Sequence, residues 1–256
     1  MKLSGNTVLI TGGSSGIGLA LAEGFAGHGS RVLVCGRTEE TLRRAQERIP
    51  GLAYLVADVA DEADRRRLLD WVEAEHPDTN VLVNNAGIQR RVRLADGAEA
   101  ADTGEIATNL EAPVRLSALF LPHLLRHAGH GRPAAIVNVT SGLGYVSLAA
   151  TPVYGATKAG LQAFTRALRH QLQGTGVEVV DLSPPAVDTP LLKGAQDPGG
   201  AKGGPPVIPP AQFAREALRA LEQGRTEIRV GGAQLLYVLD RISPRLAFHI
   251  LNWLAS

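Results

Sequence analysis

The chain has 256 residues, 45% of them apolar, and a formal net charge of +1. That length allows one full α/β domain and that apolar share a genuine core, while the near-neutral balance gives no reason to expect nucleic acid or an acidic surface as partner. The single cysteine, Cys35, excludes an internal disulfide, and no apolar run reaches about 18 residues, so no membrane span is expected.

Short, nearly continuous apolar stretches alternate with helical patterns along the chain. Strands are predicted at Thr7–Thr11, Arg31–Cys35, Leu52–Ala57, Val81–Asn84, Ala134–Val139, Val177–Leu182 and Glu227–Val230. Helices are predicted near Ile17–His28, Glu39–Ile49, Glu62–Glu75, Thr103–His127, Pro152–Gln173 and Pro210–Gln223. Strands of this kind, separated by helices, form a parallel sheet covered on both faces. Right-handed crossovers make it a doubly wound, Rossmann-like sheet of about seven strands. No internal repeat or linker divides the chain, so residues 1–256 read as one domain. The opening MKLSGNTVLITGG lacks the basic and apolar blocks of a signal peptide, and a cytoplasmic location is expected. High Ala, Gly, Arg and Leu with few Lys hint at a GC-rich bacterial genome.

The first strand runs into Thr11, Gly12, Gly13, Ser14, Ser15, Gly16, Ile17 and Gly18, and a helix follows. Glycines let the backbone turn sharply and let a pyrophosphate approach the helix N-terminus. Free N–H groups and the helix dipole stabilise an anion there. Ser14 and Ser15 add hydroxyl donors. The spacing is T-G-x-x-x-G-x-G rather than G-x-G-x-x-G.

The second strand ends in Cys35-Gly36-Arg37, without the Asp or Glu that reads an adenosine 2′-hydroxyl. A guanidinium suits a 2′-phosphate, so NADP is favoured, with NAD as the alternative. Otherwise Arg37 simply begins the next helix and points to water. Cys35 itself reads as a small buried hydrophobe. Asp58 and Val59 follow the third strand, where an adenine ring lies on such a sheet. Asp58 either accepts from the adenine amino group or caps the next helix. Arg65, Arg66 and Arg67 read as a solvated helix face, and Arg90, Arg91 and Arg93 as a solvated loop.

The fourth strand ends in Asn84, Asn85, Ala86 and Gly87. Small and amide residues there suit the ligand crevice of an open α/β sheet. Asn109 interrupts an otherwise apolar helix, a mild penalty that marks either an exposed position or a placed one. The fifth strand delivers Thr140 and Ser141 to the same edge. Tyr154 and Lys158 then stand at i and i+4 on one helix face. An ammonium beside a phenol favours the phenolate. A free tyrosine, near 10, is a poor acid or base at neutral pH, and bringing it down by about 3 units takes about 4 kcal/mol. One lysine supplies part of that; a cationic cofactor ring supplies more. Alone, the pair reads equally well as a surface Tyr–Lys contact.

The parts together resemble the short-chain dehydrogenase/reductase family over nearly the whole length. The matching pieces are TGGSSGIG (11–18), NNAG (84–87), Asn109, Ser141 and YGATK (154–158), in that order. Within the family, CGR, NNAGIQR, FLPHLL, IVNVTSGLGYV and PPAVDTPL look like the DltE-type oxidoreductases. The resemblance implies an NAD(P)-dependent oxidoreductase acting on a small carbonyl or alcohol, with no metal. It implies that Tyr154 is the acid in reduction and the base in oxidation. Lys158 would lower its pKa and hold the nicotinamide ribose, Ser141 would orient the carbonyl, and Asn109 would anchor a water linking Lys158 to solvent. Cofactor contacts would come from the glycine loop, Arg37, Asp58, Val59, Asn85, Ala86, Gly87, Tyr154, Lys158, Val187 and Thr189. A homodimer or homotetramer through the helices Thr103–His127 and Pro152–Gln173 is also implied. The rival reading is a dinucleotide-binding regulatory or scaffold protein on the same fold.

One departure stands out. The family usually has Pro-Gly after the sixth strand, whereas this chain has Pro184-Pro185. Proline fixes φ and has no N–H, so a glycine-like backbone is excluded at Pro185. Val187 N–H and Thr189 remain to meet a carboxamide. The stretch 191–210, rich in Gly and Pro, reads as a lid over substrate or as a plain connection. The tail Ala233–Ala255 is apolar, and Pro244 splits it into two helical pieces. Its stripe, Leu235, Leu236, Leu239, Ile242, Leu246, Phe248, Ile250, Leu251 and Trp253, needs a cover. That cover is its own domain, another subunit or a membrane surface.

Overall fold

The structure, a computed structural model, describes residues 1–97, 103–195 and 206–255. Seven strands form one sheet: β1 (Thr7–Thr11), β2 (Arg31–Gly36), β3 (Ala53–Val56), β4 (Val81–Asn84), β5 (Ala134–Val139), β6 (Val177–Ser183) and β7 (Glu227–Arg229). Their order is β3-β2-β1-β4-β5-β6-β7, and every neighbouring pair is parallel. This is the predicted doubly wound, Rossmann-like sheet, and each predicted strand forms to within two residues.

The helices are α1 (Gly16–Gly27), α2 (Glu39–Arg48), α3 (Glu62–Glu75), α4 (Ala112–Gly129), α5 (Pro152–Gln171), α6 (Pro190–Ala195), α7 (Pro210–Glu222), α8 (Gly232–Ile242) and α9 (Pro244–Leu254). Side chains alternate across a strand, and β1 shows what that does here. Val8 and Ile10 join a core cluster with Leu21 and Phe25 of α1 and Phe213 and Leu218 of α7. Leu9, between them, joins the opposite cluster with Leu68 of α3 and Leu116, Phe120 and Leu124 of α4. Both faces are buried, so the strands need no polar alternation. Strand order reverses at β1, which pairs with both β2 and β4. The crevice beyond the carboxyl ends of these strands is the switch point where such sheets bind ligands.

Three local expectations are corrected. The predicted helix Thr103–His127 is not uniform: a π-helical turn, Ala107–Glu111, leads into α4 and carries Asn109. Such turns shift side-chain register and recur at functional sites. Arg65 is buried, not solvated, and its Nη1 donates to the carbonyls of Val59 (2.7 Å) and Ala60 (2.9 Å). The stretch 191–210 is not featureless, because 191–195 belong to α6 and Ile208 forms a parallel bridge with Val187. Residues 196–205, the middle of the proposed lid, lie outside the described residues. In the tail, Pro244 begins α9 as expected, and its stripe divides: Leu236, Leu239 and Leu251 pack inward, while Leu235, Ile242, Leu246, Phe248, Ile250 and Trp253 are exposed. No helix among the described residues is long and apolar enough to cross a membrane.

Candidate active site

The glycine loop is built tightly against the end of β4. Gly12 takes φ +64°, a left-handed backbone, and a Cβ on it would stand 3.0 Å from Ala86 Cα. A Cβ on Gly18 would stand 2.3 Å from the Gly12 carbonyl oxygen, so α1 enters closer to the loop than any side chain allows. Thr11 Oγ1 accepts from the N–H groups of Asn85 and Ala86, both at 3.0 Å. Asn85 Nδ2 returns bonds to the carbonyls of Thr11 (2.9 Å) and Gly12 (3.2 Å). Thr11 and Asn85 therefore shape the loop with their side chains. Ser15 is the extended residue before α1; no side chain caps the helix, and its first turn carries no acid. Bare N–H groups beside flexible glycine fit an anionic pyrophosphate.

Around the ends of β2 and β3 lie the groups read as adenosine contacts. Ser14 Oγ sits beside Gly36 and accepts from Thr41 Oγ1 at 3.1 Å. Arg37 is well exposed, and its Nη1 lies 4.0 Å from Asp58 Oδ2. Asp58 is not the cap of α3; that role falls to Asp61, which accepts from Asp64 N–H at 2.9 Å. Asp58 Oδ1 instead accepts from Ala60 N–H, and its own N–H donates to Asp64. Its other oxygen faces Arg37. The Val59 side chain is buried in the core, and its carbonyl accepts from Arg65.

Ser141, Tyr154, Lys158 and Asn109 are all buried and meet beyond β4 and β5. Lys158 Nζ donates to the carbonyl of Val139 (2.9 Å) and lies 5.7 Å from the Tyr154 ring centroid, as the shared helix face required. Ser141 lies two residues beyond β5, accepts from Leu143 N–H at 3.1 Å, and hydrogen-bonds the Tyr154 phenol. Asn109 clamps the backbone of Ile88 both ways, accepting its N–H (2.9 Å) and donating to its carbonyl (2.8 Å), and reaches Thr157 Oγ1 at 3.3 Å. A Cβ on Gly87 would lie 3.3 Å from Asn109 Oδ1 and 3.7 Å from Lys158 Nζ, so Gly87 keeps the space between them open.

The electrostatics run opposite to the sequence expectation. Burial pushes the Tyr154 phenol up to about 12; the Ser141 hydrogen bond pulls it back, and the Glu105 carboxylate adds to the rise. Burial likewise pushes Lys158 down to about 8, against the attraction of Asp181. Desolvation is the largest cause of both shifts, because both side chains of α5 are buried.

Several supporting residues escaped the sequence reading. Gln162 donates to the Ser141 carbonyl at 2.9 Å, one turn beyond Lys158 on α5. Asp181 on β6 accepts from Thr140 Oγ1 (2.5 Å) and Ser183 Oγ (3.1 Å), and burial raises its pKa. Asn138 and Asp181 pair across β5 and β6, two polar residues inside apolar strands, which was the available signal. Thr189 is buried against Gly16 and accepts from Leu192 N–H at the start of α6. Val187 is flanked by the bonds Asp188 N–H to Ile208 O and Ile208 N–H to Ala186 O. Pro185 packs against Gly231 and Gly232, and the Pro184 carbonyl accepts from Gly142 N–H at 3.0 Å.

Residues 6–198 match the family described as short chain dehydrogenase. The chain belongs to that family. It is an oxidoreductase of the short-chain dehydrogenase class. It is 46% identical over 232 residues to "Uncharacterized oxidoreductase DltE" of Bacillus subtilis (strain 168), with 89% of each chain covered. A short chain dehydrogenase from Burkholderia cenocepacia J2315, solved in complex with NADP, superposes with a TM-score of 0.82 at 25% identity, covering 98% of this chain and 99% of that one. A 3-ketoacyl-(acyl-carrier-protein) reductase from Brucella melitensis, complexed with NADH, gives 0.81 at 27% identity over 90% and 98%.

Proposed function

We propose that the protein reduces a small carbonyl compound with NADPH, using Tyr154 as proton donor. The observation that carries this reading is the convergence of Ser141, Tyr154, Lys158 and Asn109 at the carboxyl ends of β4 and β5, beside a glycine loop built for a pyrophosphate. The nicotinamide supplies the hydride. Ser141 orients the carbonyl oxygen toward the Tyr154 hydroxyl, which protonates it as charge develops there. A positioned donor of this kind is worth about 10²–10⁴-fold. Lys158, fixed by Val139, holds a positive charge beside the phenol, and Asn109 keeps the wall around Gly87 and Ile88 in place. Arg37 supports NADPH over NADH, because it stands exposed at the end of β2 where no acid occupies the 2′ position. The two solved relatives carry NADP and NADH respectively, so the cofactor preference rests on Arg37.

The test is NADPH and NADH consumption with a panel of small carbonyls, wild type beside Tyr154→Phe. The reading expects turnover with NADPH, lost in the variant while cofactor binding persists. Turnover with NADH alone discards the Arg37 argument. Equal turnover in wild type and Tyr154→Phe discards the role of the phenol.

A further inference from the structure

The C-terminal hairpin of α8 and α9 has two apolar faces, and the domain uses only one. Inward, Ala233, Ala247 and Leu251 are buried, and Leu236 and Leu239 pack with Leu143 and Val146. Asn252 accepts from Ala149 N–H (2.6 Å) and donates to the Ser147 carbonyl (3.2 Å). The Arg229 guanidinium lies 3.8 Å from the Tyr237 ring centroid. These contacts fix the hairpin's orientation against the turn that follows Ser141.

Outward, Leu235 is 59% exposed, Ile242 75%, Leu246 56% and Trp253 76%. Leu235, Val238 and Ile242 follow i, i+3, i+7 along α8, and Leu246, Ile250 and Trp253 follow i, i+4, i+7 along α9, one stripe on each helix. Contiguous apolar patches of this kind are rare on monomers and mark an interaction surface. The charge beside it is one-sided. Arg241, Arg245 and His249 are exposed, and the one carboxylate between 232 and 255, Asp240, is half-buried.

We propose that this stripe docks on an anionic lipid surface, with α8 and α9 lying along the interface. An apolar face rimmed by arginine, with a tryptophan near its end, is the pattern of an interfacial helix. Each helix has 11 residues, far too short to span a bilayer. A second copy fits less well. A two-fold contact sets the patch against itself, bringing Arg241 and Arg245 toward their equivalents with no exposed carboxylate in the hairpin to meet them. Phospholipid headgroups supply the negative charge and the acyl boundary the apolar cover. This proposal is independent of the redox reading.

The test is sedimentation of the full chain with vesicles of phosphatidylcholine alone or mixed with phosphatidylglycerol. The expected result is binding at least about 10-fold stronger to the anionic vesicles, weakening with salt. Two double variants follow: Arg241→Glu with Arg245→Glu, and Ile242→Asp with Leu246→Asp. All four positions are exposed, so the fold should persist, and circular dichroism checks that it does. Each double variant should lose the binding without changing the mass in solution. Equal or absent binding to the two vesicle types overturns the proposal. So does a wild-type oligomer that falls to monomer in the Ile242→Asp, Leu246→Asp variant, which assigns the stripe to a second copy.

Discussion

Lys158→Met tests whether burial governs the site. The ammonium titrates at about 8 in the fold against an ordinary value of 10.5. Holding it charged at neutral pH therefore costs the fold about 3 kcal/mol. The sign follows from proton counting. Between these two values the unfolded chain binds the proton and the folded chain does not, so wild-type stability rises with pH through that window. Below pH 8 both states are protonated and the full cost is present. From pH 7 to 9.5 the wild type should gain about 2 kcal/mol from this group alone. The methionine variant has no such gain. It also loses the bond to Val139, a penalty of about 1.5–3 kcal/mol that offsets the relief at neutral pH. Urea unfolding of both proteins at each pH isolates the titration, because every other group cancels in the difference. The gap should move by about 2 kcal/mol in favour of the wild type on going to the higher pH. A gap unchanged within about 0.5 kcal/mol means that Lys158 is not desolvated, and the reasoning fails.

Gln162→Leu removes one of two donors to the buried Ser141 carbonyl, leaving Gly144 N–H at 3.1 Å, which should cost about 0.5–1.5 kcal/mol and lower kcat while cofactor affinity holds; a melt and steady-state kinetics read both, and an unchanged kcat removes Gln162 from the positioning of Ser141. Asp61→Ala removes the cap of α3 and should cost about 1 kcal/mol, seen as a lower urea midpoint at unchanged slope. Cys35, whose thiol burial pushes up to about 12, should resist a thiol reagent at pH 8 in the native protein and react at once in urea; ready native labelling contradicts its burial within β2.

The sheet was legible because strands buried on both faces are written as nearly unbroken apolar runs such as TVLIT and AAIVNV. Tyr154 and Lys158 were legible as a pair because helical spacing alone puts them together. What escaped depends on the third dimension. Arg65 and Arg66 are adjacent and chemically identical, yet only Arg65 turns under the end of β3 to reach two carbonyls; Arg66 pairs with Glu62 in solvent. The π turn at Asn109 has no propensity signature, since Ala107–Glu111 reads as ordinary helix; the slip brings the Asn109 amide onto Ile88. Gln162 was invisible for a simpler reason. A polar residue on α5 looks solvated until the Ser141 turn is folded over it.

The same blindness explains the reversed electrostatics. Sequence spacing shows which charges are neighbours but not how much water they lose, and here desolvation is the first cause of both shifts. At neutral pH the consequence is a phenol that keeps its proton beside a lysine that is largely charged. That is the donor state the proposed carbonyl reduction needs. Alcohol oxidation needs the phenolate, and forming it at pH 7 from a group at about 12 costs about 7 kcal/mol. Ser141 works against this cost by hydrogen-bonding the phenol, and Glu105 adds to it. Glu105 is fully buried and held by Thr103 and the Arg90 backbone, so its position is as fixed as that of Ser141. The net rise keeps the phenol protonated at neutral pH, the state from which a proton can be donated, and by the same amount makes the phenol a weaker acid.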